Sequence, residues 1–502
     1  MKLRRLTFVA IFLFLAPLNG SADWGKEPAF AEIDRYSKIS LGFASQNLKS
    51  PISYFGHSFL IFHNSDFPDA DSLAVEFTGD APDLLANISA LFNSVPGRYS
   101  LTYLIEKIRE YDYENRSIWL YKLTFSENEV ANIKTYLLDS QYTGFEYNFS
   151  QNNCAFYIAQ ALSHARDAFE YKRDGIFITP ASTLRWARTE GILSSEKYLP
   201  STQLIALHEF EPLSDTDQLI VIDYLNHINV PRPYGTNLKI GNALSAITEY
   251  MIPREGDAEN RNYLFSIKRD FPTSSGTRSL VADDPSRSIG SNSISALFLL
   301  NRNSLMLTIS PGFVRLENEQ ASGQHNIAIE TLRSDFLVDT KGTIRLEEFH
   351  LVRMESNQPS GYLRDGFTQA FDVSYANYRS YFDDNYKEAK ILFGRGVSWL
   401  YGGNTISFLP MGSIIKTWRG SSTSTSGQIE FRLKDYKQLS EYVVGALQVD
   451  QLISHTSEIQ QSIVLDVICA INREFSISIH MRRVIGIQKS STMSGIGITG
   501  SF

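Results

Sequence analysis

Over the C-terminal part of the chain, apolar and polar side chains alternate in one segment after another. Ile429, Phe431 and Leu433, for example, alternate with Glu430 and Arg432. A period of two puts the apolar side chains on one face of a β-strand and the polar ones on the other. About twelve segments share the pattern, at 292–300, 303–315, 324–337, 342–355, 368–378, 387–399, 404–417, 425–436, 440–452, 458–470, 473–487 and 493–502. Segments longer than about 10 residues suit tilted membrane-spanning strands, whereas strands of soluble sheets commonly have about 5–6 residues.

An even number of such strands predicts closure into a barrel, because a closed barrel leaves no unpaired strand edge in lipid. The chain ends in GIGITGSF, with Ile496, Ile498 and Phe502 on one alternating face. A terminal Phe on an amphipathic strand resembles the C-terminal signal of bacterial outer-membrane barrels. A soluble β-sandwich or a lipocalin-like barrel is the alternative, since the alternation is weak in each single segment. The sequence thus predicts an antiparallel β-barrel of about twelve strands over 292–502, located in the outer membrane.

The N-terminus has the three parts of an export signal in order. Residues 1–5 (MKLRR) are basic, and residues 6–18 (LTFVAIFLFLAPL) form an apolar run too short to span a bilayer comfortably. Gly20 and Ala22 provide small side chains before a cleavage site. We therefore expect a signal peptide at 1–22 and export of the mature chain through the inner membrane.

Composition excludes several classes of protein. The net charge of −8 argues against a nucleic-acid partner, because phosphate binding needs a basic surface. Two cysteines, Cys154 and Cys469, are too few for a disulfide scaffold or a four-thiolate metal site. The nine histidines are scattered without metal-ligand spacing and there is no nucleotide-binding motif, so we expect no metal and no cofactor.

The 502 residues are too many for one ordinary core, and the chain ahead of the barrel divides into two further regions. Region 23–200 mixes strand patterns, such as 58–64, with helix patterns, such as the segment 127–140 that follows a capping box at Ser126. Region 201–291 carries helical periodicity and ends in a loop rich in Ser, Thr and Asp. The expected order is an α+β periplasmic domain, a helical linker and the barrel.

The chemistry that the sequence suggests centres on His57 and Cys154. Gly56 permits a tight backbone before His57, which then begins a strand. Cys154 follows two asparagines and begins an amphipathic pattern, which places it near a helix N-terminus. The helix dipole there favours the thiolate, and a nearby imidazolium would favour it further. In such a pair the thiolate attacks and the imidazole transfers the proton. From spacing alone, a buried structural cysteine and a histidine that caps a loop remain an open alternative.

The stretch from about 50 to 185 resembles the exported domain of the bacterial Lnb-type lipoprotein N-acyltransferase family. The matching pieces occur in the family's order and with similar spacing; they are SYFGHSFLIF, VPGRYS, IREYDYENRSIWLYKL, FEYNFSQNNCAFYIAQAL and TPASTL. The resemblance implies a permuted papain-like (NlpC-like) α+β fold in which His precedes Cys. It also implies that Cys154 is a nucleophile that forms an acyl thioester and that His57 is the base.

Five further residues are candidates for the same site. A third polar group should orient the imidazole, and Glu76, in the next strand, is the candidate at a place where the family more often carries a neutral polar residue. His63 competes for a role in the site but is more typical of a surface histidine at a strand end. We expect Asn153, with the backbone N–H of the cysteine, to help to hold an oxyanion. Tyr111 and Arg116 are expected to support the site structurally.

Together these features predict an outer-membrane-anchored periplasmic cysteine acyltransferase or hydrolase. By resemblance, it would act through an S-acyl-enzyme on a lipid or lipoprotein substrate. The relatives are held by membrane helices and this chain by a barrel, so the substrate is not carried over directly. Two alternatives stay open, an NlpC-like amidase or peptidase acting on cell-wall peptides and a non-catalytic outer-membrane binding or assembly protein, including one with a conducting lumen. The sequence sets no oligomeric state.

Overall fold

The structure is a computed structural model. It describes residues 29–47, 55–80, 94–167, 169–171, 178–226, 238–272, 280, 282, 284–287, 292–300, 303–314, 327–365, 368–379, 385–401, 404–440, 443–454, 459–471, 475–485 and 490–501. The predicted signal peptide at 1–22 and the terminal Phe502 lie outside the described residues. Within the described part of the chain, no helix combines the length and apolarity needed to cross a membrane.

Seven antiparallel strands form one sheet in the N-terminal part of the chain. They are β1 (Lys38–Ala44), β2 (His57–His63), β3 (Leu73–Gly79), β4 (Val95–Tyr103), β5 (Ile118–Leu123), β6 (Phe145–Tyr147) and β7 (Leu193–Leu199). Their order is β6-β4-β3-β2-β1-β5-β7, so β2 is the central strand. The segment from 58 to 63, predicted as a strand, is almost entirely buried, as expected for the middle of a covered sheet.

Eight α-helices accompany this sheet among the described residues. They are α1 (Leu104–Tyr113), α2 (Glu127–Ser140), α3 (Cys154–Ser163), α4 (Pro180–Thr189), α5 (Thr202–Phe210), α6 (Asp215–Leu225), α7 (Leu238–Met251) and α8 (Ala258–Asp270). The predicted capping box of α2 is present, because Ser126 and Glu129 each bind the other's backbone N–H. α3 packs against β2 and β3, and α4 packs against α3. These contacts bring the start of α3 to the central strand.

The helices from α5 to α8 belong to the same compact unit as the sheet. The described residues up to 280 fall in one unit and those from 282 in another. Thr202, at the start of α5, donates from its backbone N–H to Asp112 Oδ1 at 2.6 Å and from its hydroxyl to Oδ2 at 2.8 Å. Arg254 donates to Asn115 Oδ1 at 3.1 Å. The region expected to be a linker is therefore tied to α1 and to the turn that follows it.

Twelve antiparallel strands form the closed barrel of the second unit, and they match the twelve predicted segments. They are β8 (Asn292–Leu299), β9 (Ser304–Pro311), β10 (Ile327–Val338), β11 (Ile344–Asn357), β12 (Thr368–Arg379), β13 (Asn385–Tyr401), β14 (Asn404–Arg419), β15 (Ser422–Ser440), β16 (Val443–Ser454), β17 (Ile459–Ala470), β18 (Phe475–Ile485) and β19 (Ser490–Ser501). Each strand pairs with the next, β19 pairs with β8, and the pairing of β9 with β10 completes the ring. The predicted barrel is confirmed.

The two faces of the barrel wall differ as the alternation predicts. Ile429 and Leu433 are 55% and 47% exposed, whereas Glu430 between them is 7% exposed. In a closed barrel the buried polar face is the interior. There Lys434 of β15 lies 2.8 Å from Glu355 of β11, although three strands separate β11 from β15 along the wall. Ion pairs thus cross the lumen at this level, which does not favour the conducting alternative.

Candidate functional site

The backbone before His57 takes a conformation that only glycine adopts readily. Gly56 has φ +85°, and a Cβ at this position would lie 2.8 Å from both the carbonyl oxygen of Ala44 and the ring of Phe43. The tight approach predicted from the Gly-His pair is therefore present. It places the imidazole at the very start of the central strand, next to the end of β1.

We expect Gly56→Ala to lower the free energy of unfolding of the N-terminal unit by about 2 kcal/mol or more, because it combines a positive φ with a backbone clash. Gly191→Ala is the matched control, since Gly191 has φ +69° but nothing within 4 Å of an added Cβ. It should cost about 1 kcal/mol. Urea midpoints from pulse proteolysis of the full chain measure both. Equal losses in the two variants would contradict the steric part of the argument.

Cys154 is the first residue of α3, as the sequence predicts. Asn153 is the N-cap, and its side-chain oxygen accepts a hydrogen bond from the backbone N–H of Phe156 at 3.2 Å. Its amide nitrogen donates to the carbonyl oxygens of Phe149 at 3.0 Å and Ile178 at 2.6 Å. Both ends of the Asn153 side chain are thus used in fixing the turn. These bonds hold the start of the helix in place, and a part for Asn153 in holding an oxyanion stays a prediction.

The thiol of Cys154 and the imidazole of His57 interact with each other in a buried place. Burial alone would raise the pKa of Cys154, but the charge of His57 and hydrogen bonds from the backbone N–H groups of Ser58 and Ala155 lower it. Burial alone would lower the pKa of His57, but its interactions with Cys154 and then with Glu76 raise it to about 9. Each group therefore favours the charged form of the other, and the geometry stabilises a thiolate–imidazolium pair.

Glu76 occupies the third position next to the imidazole. Its Oε2 lies 3.2 Å from His57 Nε2, and the two side chains are 13% and 17% exposed. The ring nitrogen is not aligned with that oxygen for a hydrogen bond, so the contact is electrostatic in this state. Catalytic hydrogen bonds are often poorly aligned until substrate binds. A carboxylate here stabilises the imidazolium and limits how the ring can turn.

A lysine that sequence reasoning missed holds Glu76 in its ionised form. Lys107 of α1 places Nζ 2.7 Å from Glu76 Oε1 and 2.8 Å from Glu110 Oε2. Burial would raise the pKa of Glu76, but Lys107 and then His57 lower it to about 2. The available signal was the spacing of Lys107, Glu110 and Tyr111 on one face of a predicted helix. The partner strand, however, is brought to that face only by the fold.

Tyr111 and Arg116, expected to support the site, contact each other next to it. The guanidinium of Arg116 lies 4.6 Å from the centre of the Tyr111 ring. Its Nε donates to the carbonyl oxygen of Ser45 at 2.5 Å, which fixes the end of β1. The Tyr111 ring also packs 6.4 Å from the imidazole of His57. These residues form a wall of the site. Among the described contacts, their side chains make no hydrogen bond to Cys154, His57 or Glu76.

The competing histidine lies elsewhere. His63 is the last residue of β2, six residues beyond the site histidine along an extended strand. Its Nε2 lies 2.8 Å from the Ser40 hydroxyl and its Nδ1 lies 3.0 Å from the carbonyl oxygen of Ser65. It is 1% exposed, so the expectation that this histidine lies at the surface is wrong. It serves as a packed, hydrogen-bonded residue of the core.

A tyrosine near Cys154 was also missed. Tyr147 of β6 is 6% exposed and its ring stacks on Phe77. Burial, and after it the charge of Cys154, raises the pKa of the Tyr147 phenol. The phenol therefore keeps its proton beside the thiolate. The fold thus brings Cys154, His57, Glu76 and Lys107 together from two strands and two helices, while Cys469 is exposed on the barrel.

Comparison with known proteins gives one family match. Residues 26–189 match the family model described as the Lnb N-terminal periplasmic domain. The matched range contains all the residues of the site. No curated protein matches the chain.

Several solved structures are similar to part of the chain. An anion-selective porin from Comamonas acidovorans aligns at 10% identity and TM-score 0.21, over 39% of this chain and 59% of the porin. A loop-deleted OmpT, an outer membrane protein of Vibrio cholerae, aligns at 9% identity and TM-score 0.22, over 42% of this chain and 97% of OmpT. The β domain of the Bordetella autotransporter BrkA aligns at 10% identity and TM-score 0.24, over 42% of this chain and 97% of that domain. The chain thus spans less than two thirds of the porin's length.

The predicted location, in the outer membrane with the N-terminal domain in the periplasm, is confirmed. The N-terminal part matches a periplasmic domain family, and the C-terminal part is a closed twelve-stranded barrel of the outer-membrane type. An apolar outer wall and a polar interior are what such a barrel needs in lipid.

Proposed function

We propose that this protein is a periplasmic cysteine acyltransferase or hydrolase, anchored in the outer membrane, whose N-terminal unit has a permuted papain-like, NlpC-like fold. The observation that carries the proposal is the Cys154–His57–Glu76 arrangement at a helix N-terminus. A structural cysteine needs no buried imidazole beside it and no carboxylate behind that imidazole. Perturbed titratable groups that converge in this way are typical of catalytic sites.

In the first step the Cys154 thiolate attacks the carbonyl carbon of an ester-linked acyl group. A carbon–sulfur bond forms, and the electron pair of the carbonyl moves to its oxygen. The first turn of a helix leaves its N–H groups without intrahelical partners, so those at the start of α3, apart from the Phe156 N–H that donates to Asn153, are the candidates to stabilise this oxygen. The intermediate then collapses, the ester C–O bond breaks, and the His57 imidazolium gives its proton to the departing alkoxide. The products are an alcohol and a Cys154 thioester.

In the second step His57, now neutral, acts as base. It takes a proton from an amine or a water molecule as that nucleophile attacks the thioester carbon. Collapse of this intermediate breaks the carbon–sulfur bond and regenerates the thiolate beside the imidazolium. The amine gives an amide and acyl transfer, whereas water gives a carboxylic acid and hydrolysis. Glu76 stabilises the imidazolium at the stages where it carries the proton.

A lipid-linked substrate fits the setting of the site. The barrel keeps the chain at a lipid surface, and ester-linked acyl chains on lipoproteins or phospholipids are present at that surface. The resemblance of the N-terminal region to lipoprotein N-acyltransferases supports the same class. Aromatic rings around the pair, Phe59 and Tyr111 among them, exclude water and suit an acyl chain better than a charged peptide terminus.

Intact-mass analysis of the purified full chain after exposure to native membrane lipids tests the proposal. We expect a mass gain of one acyl chain that hydroxylamine removes, because hydroxylamine cleaves thioesters. Cys154→Ala should show no gain, and Cys469→Ser should show the same gain as the unmodified chain. The Cys469 variant is the matched control, since Cys469 is exposed on a barrel strand and has no part in the site.

Two results would overturn the proposal in different ways. A reactive Cys154 that never carries an acyl group would favour an amidase or peptidase acting on cell-wall peptides. A Cys154 that neither carries an acyl group nor reacts with an alkylating probe faster than in the unfolded chain would favour a non-catalytic binding or assembly role.

A further inference from the structure

A group of metal-ligand side chains lies in the barrel interior and shares no residue with the cysteine site. Asp335 of β10 and Glu348 and His350 of β11 each offer one donor atom, and the three atoms lie within 4.8 Å of one another. Asp335 is 2% and His350 is 3% exposed, while the Glu348 side chain is 38% exposed. The first two donors are thus buried, and the third stands at the opening to solvent. No motif spacing reveals this group, because Asp335 faces the other two across a strand pair.

The orientation of His350 is the observation that points to a ligand. Its Nδ1 lies 2.9 Å from Asp372 Oδ1 of β12, which fixes the ring and the proton on that nitrogen. Its Nε2 is buried and has no hydrogen-bond partner, although Glu348 Oε1 lies 3.3 Å away. A carboxylate that holds one histidine nitrogen while the other points at further donors is the usual outer arrangement of a metal-bound imidazole. A buried polar atom left without a partner is otherwise costly.

The charges around this group favour a cation as well. The ion pairs of this group connect four carboxylates, which belong to Asp335, Glu348, Asp372 and Glu330. Two arginines pair with them. Arg333 contacts Glu330 at 2.8 Å and Asp335 at 3.1 Å, and Arg353 contacts Glu330 at 4.0 Å. Among the groups named here, four carboxylates face two arginines, a difference of two. A divalent cation balances that difference in a buried place, where uncompensated charge is expensive.

The strand pairing is irregular at the same place. Leu332 has φ +52°, which is strained for a bulky side chain. The register shifts between Asp335 and Phe336 in the pair of β10 and β11, and between His350 and Val352 in the pair of β11 and β12. Such bulges redirect side chains out of the regular alternation. Here they accompany the convergence of donors from two strands.

We propose that Asp335, Glu348 and His350 bind a divalent transition-metal ion of the zinc type, with water completing its coordination. One imidazole nitrogen and two carboxylate oxygens suit Zn²⁺, while Ca²⁺ prefers oxygen ligands alone. The ion joins β10 to β11 across the register shift and, through the bond of His350 to Asp372, fixes β12. The site is independent of the cysteine chemistry.

Titration calorimetry of the metal-stripped full chain in detergent tests this site, with Zn²⁺ as the probe and Ca²⁺ for comparison. We expect one equivalent of Zn²⁺ to bind and Ca²⁺ not to compete. His350→Gln and Glu348→Gln should each weaken binding by tenfold or more, because each removes a ligand. Glu348 is partly exposed, so we expect Glu348→Gln to fold even if His350→Gln does not. Co²⁺ loading should give a visible absorption spectrum that both variants change.

His480→Gln is the matched control. His480 of β18 also pairs with a carboxylate, Asp466 Oδ1 at 2.6 Å, but it belongs to no group of three donors among the described residues. Its variant should bind Zn²⁺ as the unmodified chain does. The absence of Zn²⁺ binding by the unmodified chain, or binding that survives both His350→Gln and Glu348→Gln, would overturn the proposal.

Discussion

Lys107→Met should lower the free energy of unfolding of the N-terminal unit by about 3–5 kcal/mol, the cost of leaving one partner of a buried ion pair unpaired. The Lys107 and Glu76 side chains are 10% and 13% exposed, and their charged atoms are 2.7 Å apart. Without the ammonium, Glu76 remains ionised beside His57 alone or takes up a proton. Urea midpoints from pulse proteolysis of the full chain measure the loss.

Glu110→Gln is the matched control for that variant. Glu110 also pairs with Lys107, at 2.8 Å, but its side chain is 46% exposed. A pair open to solvent contributes about 0–1 kcal/mol, so this variant should shift the midpoint little. The double variant Lys107→Met/Glu76→Gln should recover part of the loss, because it removes both charges. Equal shifts for Lys107→Met and Glu110→Gln would show that the buried pair is not what stabilises the site.

His57→Ala should reduce the rate at which iodoacetamide alkylates Cys154 at pH 6.5 by about tenfold or more. The imidazolium lowers the pKa of Cys154, so the native thiol is still ionised at a pH where an ordinary thiol is protonated. The alkylation rate of the native chain therefore falls only as the pH drops below that lowered pKa. In the variant the same fall begins at a higher pH. Because the pKa of His57 is about 9, the imidazolium supports the thiolate throughout the range from pH 6 to 8.

Measurements in a Cys469→Ser background leave Cys154 as the only thiol. His63→Ala is the matched control, since His63 lies on the same strand but bonds to Ser40 and Ser65. It should leave the pH profile of alkylation in place. Glu76→Gln should shift the profile in the same direction as His57→Ala but less. If His57→Ala leaves the pH profile of alkylation unchanged, the ionisation of Cys154 does not depend on His57.

The sequence predicted the barrel well because its signal is local and repeated. Each strand, such as the one around Ile429 and Leu433, shows its lipid face within a few residues, and twelve repeats make the count reliable. The capping box at Ser126 and the tight turn at Gly56 were predicted for the same reason. By contrast, β6 has three residues and too few positions to show a period.

The cysteine site was predicted only in part. Cys154 and His57 could be selected because their side chains are reactive and because each lies at the predicted start of a helix or a strand. Glu76 was selected because the imidazole needs a third polar group to orient it. Lys107 and Tyr147 were missed, because their relevance comes from contacts between α1 and β3 and between β6 and α3. The hydrogen bond from Asn153 to Ile178 was likewise outside any local pattern, because 25 residues separate the two.

By itself, the sequence determined which side chains face lipid, where α3 and β2 begin, and which two residues are the candidates for chemistry. These properties depend on periodicity and on backbone preferences that act within a few residues. Only the tertiary structure decided that Lys107 holds Glu76 ionised, that ion pairs cross the barrel lumen, and that Asp335 meets His350. Such contacts join distant parts of the chain, and whether a buried charge is paired depends on the packing of whole elements rather than on any local pattern.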